Sequence, residues 1–163
     1  MPSPISSLSR ARRAQVARVK RAVSAERIAF LRSRPVREDH VLYESFAGNG
    51  MLCNPEAIFR GLLDDPEFAH LTHLWAIADS EAEQAFRAEF DGHPRVRMVT
   101  RGSHDYHRAV ATAGWLINNA TFGPQFGKRP GQVYLNTWHG TPLKHMGFDM
   151  PDGAYQANNT LRN

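Results

Sequence analysis

From residue 38 onward, short apolar runs alternate with segments of helical period, and small clusters of polar residues and glycines separate them. That rhythm predicts βαβ units and an α/β fold with a parallel sheet. Residues 41–46 (VLYESF) read as the first strand. Residues 55–63 follow as a helix, with Asn54 as its N-cap and Pro55 in its first turn. Residues 74–78 form a second strand, and Ser80 opens a helix to Phe90 with Glu83 in the capping-box position three residues on. Residues 96–100 make a third strand and 105–113 a further helix. A short fourth strand at 115–117 and a fifth at 133–138 complete the pattern.

The first 37 residues follow a different pattern. Residues 10–34 are rich in Ala, Arg, Val and Leu and hold no Gly or Pro, which predicts a helix that Ser9 caps and Pro35 stops. Val16, Val19, Val23 and Phe30 share one stripe, although Arg12 and Arg27 lie on or beside it. Charge sharpens the contrast. Residues 1–37 carry ten Lys or Arg against the single acid Glu26, a balance of +9 in a chain whose total is +4, so residue 38 onward sums to −5. The chain is therefore read as a basic helical leader, 1–37, and a mildly acidic domain, 38–163. An anionic membrane surface is one partner for such a leader, each basic residue near it contributing about 1 kcal/mol. A solvated helix leading into the domain fits the same pattern. Nucleic acid is not indicated, because neither aromatic interleaving nor a groove-reading motif accompanies the basic residues.

At 163 residues and 42% apolar content the chain has room for one domain with a real core. No apolar run is long enough to span a bilayer and no secretory signal opens the chain, so it reads as cytoplasmic. The lone Cys53 cannot form an internal disulfide and is expected to be a small buried side chain. No histidine or cysteine cluster suggests a metal. The dinucleotide fingerprint starts at Gly48-Asn49-Gly50 but has Cys53 where the third glycine belongs.

Ligands of parallel sheets sit outside the carboxyl ends of the strands. Here those ends read Ala47-Gly48-Asn49-Gly50, Asp79-Ser80, Asn118-Asn119 and His139-Gly140-Thr141. The last belongs to the stretch NTWHGTPLK, in which Gly140 permits close backbone approach and Thr141-Pro142 reads as an N-cap followed by the first helical position. Such a turn presents unpaired N–H groups to an anion, a phosphate or pyrophosphate above all. Lys144 either adds a point charge there or faces solvent. His139 either removes a proton from a hydroxyl near neutral pH or is satisfied by backbone partners.

Tyr43-Glu44-Ser45-Phe46 with Gly48, then Cys53-Asn54-Pro55 and Ala57-Ile58, resembles the opening motif of the CDP-glycerol glycerophosphotransferases of teichoic acid synthesis. Residues 116–120 (LINNA), Lys128-Arg129, and Gln132-Val133-Tyr134-Leu135 running into Thr137-Trp138-His139-Gly140-Thr141-Pro142-Leu143-Lys144 resemble its most distinctive block. The two blocks cover roughly residues 40–163. The resemblance implies a Rossmann-like parallel sheet, the N-terminal domain of a GT-B-type transferase, with a C-terminal donor domain expected beyond Asn163. It implies transfer of glycerol phosphate or ribitol phosphate from CDP-glycerol or CDP-ribitol to a lipid-linked polyol-phosphate acceptor, with release of CMP and no cofactor. It also implies a peripheral place on the cytoplasmic face of the plasma membrane, where the basic leader has a use. In the family the histidine of the WHGTP block is a candidate general base, which carries over to His139. Gly140, Thr141 and Lys144 are then expected to hold a phosphate, and Asn118, Asn119, Gly48 and Asn49 to line the acceptor side; loop capping is the other reading of the two asparagines. The chain departs from the family at Ala47 and Asn49, where a histidine and a lysine are common. A truncated, catalytically incompetent membrane-associated binding module of the same fold is the alternative.

Overall fold

The computed structural model describes Gln15, residues 25–123 and residues 126–140. The chain divides into two compact units, Met1–Pro35 and Val36–Asn163. In the first, residues 25–32 are helical and a turn follows at Ser33, whose hydroxyl donates to the Phe30 carbonyl at 2.8 Å. Phe30 is exposed beneath the Arg34 guanidinium, while Leu31 is buried. The remainder of the expected stripe, Val16, Val19 and Val23, lies outside the described residues, as does Ser9.

The second unit is a five-stranded sheet in the order β3-β2-β1-β4-β5, with every neighbouring pair parallel. Its strands are β1 (Arg37–Glu44), β2 (Thr72–Ile77), β3 (Val96–Thr100), β4 (Ala113–Asn118) and β5 (Val133–Asn136). The helices between them are α1 (Cys53–Asp64), α2 (Ser80–Phe90) and α3 (His104–Thr112), with a single 3₁₀ turn at Pro66–Phe68. Alternation along the strands sends side chains to two cores. Val41, Tyr43, Trp75, Ile77 and Ile117 pack with Phe59 of α1 and with Phe86 and Phe90 of α2. Leu42, Leu74, Ala76, Val99 and Leu116 pack with Tyr106 and Ala109 of α3 and with Phe122. Both faces are covered, as parallel sheets require.

Local chemistry explains where the elements differ from expectation. β1 begins at Arg37, because that residue already pairs with Ala113, and it ends at Glu44, because Phe46 and Ala47 turn to left-handed φ values of 45° and 59°. Asn54 is not a cap. Leu52 holds that position without a side-chain hydrogen bond, and the Asn54 amide is spent elsewhere, on the carbonyls of Thr137 and Trp138. Cys53 is exposed, contrary to expectation, because the buried face of α1 runs through Pro55 and Phe59 and Cys53 falls off that stripe. At α2 the cap is Asp79, whose carboxylate accepts from the N–H groups of Glu81 and Ala82, both at 3.0 Å. Glu83 turns instead to Arg87, one turn along, at 2.8 Å. Asp79→Ala should therefore cost about 1 kcal/mol in a urea titration; a midpoint equal to that of the unmodified protein would show that the cap is dispensable.

The segment entering β5 is held by side chains. Gln132, 4% exposed, donates to the carbonyls of Val110 (3.1 Å) and Ala113 (2.7 Å), and its own oxygen accepts from the Arg129 N–H at 3.1 Å. It thus ties the end of α3 to the start of β5, and sets where the last strand enters the sheet.

Candidate functional site

β1 and β4 lie side by side, yet their crossovers leave in opposite directions: β1 leads to β2 on one flank, β4 to β5 on the other. The crevice where strand order reverses is where open α/β sheets bind ligands. Three loops meet at that edge.

The loop after β1 is wound tightly. Its Gly48 and Asn49 N–H groups both donate to the Ser45 carbonyl, at 2.9 and 3.1 Å, and the Ser45 hydroxyl donates to the Leu52 carbonyl at 2.7 Å. Gly48 has φ +94°, and its carbonyl accepts from the Ala78 N–H at 2.8 Å, which fastens the loop to the end of β2. Phe46 is fastened to the opposite flank, where its N–H donates to Asn119 Oδ1 at 2.9 Å.

After β4 come Asn118 and Asn119, both fully buried. The Asn118 amide lies 3.0 Å from the Tyr134 hydroxyl. With its nitrogen toward the Ala120 carbonyl and its oxygen toward the Phe122 N–H, each at 3.1 Å, both ends are satisfied. The Asn118 carbonyl accepts from the Thr137 N–H at 2.8 Å, joining the β4 and β5 exits.

After β5 the chain leaves extended geometry at Trp138, with φ +53°, and the Asn136 side chain accepts the Trp138 N–H at 3.0 Å. This turn, together with the reach of Asn54 from α1, ends the strand at Asn136 rather than at Trp138. It also presents His139 at the surface, its imidazole tilted 49° against the Phe46 ring with centroids 5.4 Å apart. Among the described residues no carboxylate pairs with His139, so its orientation comes from that ring contact.

Beneath the loops sits a buried acid. Glu44, the last residue of β1 and 1% exposed, accepts the Tyr106 hydroxyl at 2.7 Å on Oε2, with Arg101 Nε 3.2 Å from the same oxygen. Burial pushes its carboxyl above the ordinary carboxylate range, against the opposing pull of Tyr106 and Arg101. Burial, and then the Glu44 charge, raise the Tyr106 and Tyr134 hydroxyls, so both stay protonated.

Three exits, a tight glycine loop and a solvent-facing imidazole thus share one edge of the sheet. The family model described as CDP-Glycerol:Poly(glycerophosphate) glycerophosphotransferase matches residues 26–163. The chain belongs to this family. A teichoic acid poly(glycerol phosphate) polymerase of Bacillus subtilis (strain 168) is 30% identical over 129 residues, covering 78% of this chain and 16% of the relative. A teichoic acid glycerol-phosphate transferase of Staphylococcus aureus is 31% identical over 131 residues, covering 80% of this chain and 31% of the relative. Among solved structures, the wall teichoic acid polymerase TagF superposes with a TM-score of 0.61 at 23% identity, over 85% of this chain and 34% of that one. The chain thus spans between about a sixth and a third of the proteins it matches. The expected Rossmann-like parallel α/β sheet is the fold observed, and it is the fold of the matching part of TagF.

In this glycerophosphotransferase-family domain, Gly48, Asn49, Asn118, Asn119, His139 and Gly140 come to one edge of the sheet. Their surroundings differ. His139, Gly140 and Asn49 are exposed, whereas Gly48 and the two asparagines are buried and join the loops to one another. Thr141 and Lys144 lie outside the described residues. Four contributions escape a reading of the sequence: Phe46 against His139, Asn54 under the β5 exit, and the pair Glu44 and Arg101. Glu44, Phe46 and Asn54 stand in the opening motif, but nothing in it gives these contacts, and Arg101 carries no signal at all.

Proposed function

We propose that this chain supplies the acceptor-side domain of a CDP-glycerol glycerophosphotransferase that extends a polyol-phosphate polymer on a lipid-linked acceptor. Family membership supports the reaction class, and relatives named as teichoic acid poly(glycerol phosphate) polymerases favour glycerol over ribitol. A TagF structure soaked with CDPG supports a CDP-activated donor. The carrying observation in this chain is the exposed His139 imidazole, held by Phe46 at the strand-order reversal.

In the proposed step the acceptor hydroxyl oxygen attacks the donor phosphorus that bears the glycerol. A new P–O bond forms as the P–O bond to CMP breaks, and the hydroxyl proton passes to His139. Positioning and neutralisation of the transferring phosphoryl group supply most of the acceleration in such reactions. Gly140, Thr141 and Lys144 are proposed to hold a phosphate beside the base; Asn49 faces solvent on the same edge, while Gly48, Asn118 and Asn119 fix the loops that shape it. The test is CMP release from CDP-glycerol, with a lipid-linked glycerol phosphate acceptor, by the full-length enzyme containing this domain. Absence of release would reject the reading in favour of a non-catalytic binding module, and preference for CDP-ribitol would reassign the polyol.

The leader completes the proposal. With ten basic residues and one acid, residues 1–37 are proposed to hold the enzyme on the anionic cytoplasmic membrane face. Sedimentation with vesicles of phosphatidylglycerol and phosphatidylcholine should be strong at low salt, fall with added salt, and drop about tenfold or more when residues 1–37 are removed. Equal sedimentation by both forms would dismiss the leader.

A further inference from the structure

Arg101 follows β3, but its side chain does not stay there. A Cβ placed on Gly48 would come within 3.0 Å of Arg101 Cδ, so the aliphatic stem runs beside the loop that leaves β1. The head continues to Glu44, with Nε 3.2 Å from Oε2, and its central carbon stands 6.0 Å over the Tyr106 ring. Stem, Nε and guanidinium face are thereby each in contact with a fixed part of the fold.

Exposure divides this cluster. The Glu44 side chain is 1% exposed and Arg101 30%, so the guanidinium is enclosed on its Nε side and open on the other. Among the described residues nothing accepts a hydrogen bond from either Nη; Nε, buried at ion-pair distance from Oε2, makes no hydrogen bond there, and Glu44 Oε1, also buried, has no partner. A carboxylate withdrawn from water and left half unsatisfied is a poor stabiliser of the fold. It is well suited to another task, holding a cation in one orientation: a guanidinium approached at Nε still presents its two Nη groups as a planar fork, the shape that takes two oxygens of a phosphate at once.

Placement supplies the rest. Glu44 to Phe46 is the exit of the central strand, which Arg101 meets at Glu44 and His139 meets at Phe46. We infer that Arg101 is a phosphate-binding residue of this site, with Glu44 and Tyr106 as the residues that position it, and that its ligand is a phosphoryl group of a polyol phosphate. The identity of the ligand rests on the phosphotransfer reading; the binding of phosphate does not.

The experiment separates the two. The whole chain, labelled with 15N-arginine, is titrated with sn-glycerol 3-phosphate at constant ionic strength, with glycerol as the phosphate-free control and inorganic phosphate as the polyol-free one. Saturable binding of glycerol 3-phosphate is expected, with displacement of the Arg101 Nε resonance and no response to glycerol. Arg101→Gln should weaken the affinity about tenfold or more, and Arg101→Lys, which keeps the charge but not the fork, should fall between. Glu44→Gln should weaken binding while leaving Arg101 in place, with a change in the Arg101 Nε signal of the free protein that a purely structural role for Glu44 would not produce. Should Arg101→Gln fail to fold, Arg101→Lys carries the test. No binding by the unmodified chain, or equal affinity in the folded Arg101 variants, overturns the inference whatever the CMP-release assay shows. Tighter binding of inorganic phosphate than of glycerol 3-phosphate removes the polyol from it. Binding as inferred, in an enzyme that releases no CMP, would leave Arg101 standing and reject the reaction.

Discussion

His139→Ala in the full-length enzyme should lower the turnover of CMP release by about 10²–10⁴-fold, the range set by loss of a positioned general base. That corresponds to about 3–5 kcal/mol of transition-state stabilisation. The imidazole is exposed and touches the fold through the Phe46 ring, so its removal should leave the urea midpoint almost unchanged. KM for CDP-glycerol should move little, because the proton leaves the acceptor and not the donor. Activity within about threefold of the unmodified enzyme would remove His139 from the chemistry.

The largest expected effect on stability belongs to Gly48→Ala. At φ +94° an L-residue is strained by about 1–2 kcal/mol. Its Cβ would stand 2.9 Å from the Ala78 nitrogen and 3.0 Å from both Ala78 Cβ and Arg101 Cδ. Arg101 can yield, but the Ala78 nitrogen is backbone and already donates to the Gly48 carbonyl at 2.8 Å. Relieving the clash means pulling the β1 loop from the end of β2, a further ~1–3 kcal/mol. A total of about 2–5 kcal/mol should appear as a lower urea midpoint with an unchanged slope. Gly61→Ala is the natural contrast. It lies within α1 with nothing within 4 Å of its added Cβ, and should stabilise by about 0.5–1 kcal/mol. Loss of less than about 1 kcal/mol at Gly48 would mean the loop is not fastened as described.

The sequence sets Gly48 in a strand-end loop and Gly61 in a helix, but not the long-range contacts that make the first irreplaceable. Signals carried within a segment were readable: β3 occupies residues 96–100 and α2 runs from Ser80 to Phe90, both as expected from their period, although the cap of α2 is Asp79 and not a box of Ser80 with Glu83. β1 was read too late because its opening, REDH, is polar and exposed; pairing with β4, not burial, makes it a strand. Asn54 was misread for the opposite reason. Its type and place before Pro55 suit a cap, but a partner more than eighty residues away claims the amide. The placement of His139 at the ligand edge followed from strand-end logic. The Phe46 ring that orients it did not, since nothing local links those positions. Arg101 was unreadable for a similar reason: adjacent to β3 in sequence, it acts beside β1.

The order β3-β2-β1-β4-β5 has a consequence in time as well as in space. β1 is synthesised first and becomes the centre of the sheet, but one of its edges stays open until β4 arrives, after β2, α2, β3 and α3 have all been made. Until then its exposed backbone groups and the apolar side chains beside them are a template for the wrong strand. Non-local parallel pairing of this kind forms slowly, because the loop must close before the contacts reward it. A nascent chain halted between β3 and β4 should therefore be the species that a chaperone binds best, and release should coincide with emergence of residues 113–118 from the ribosome.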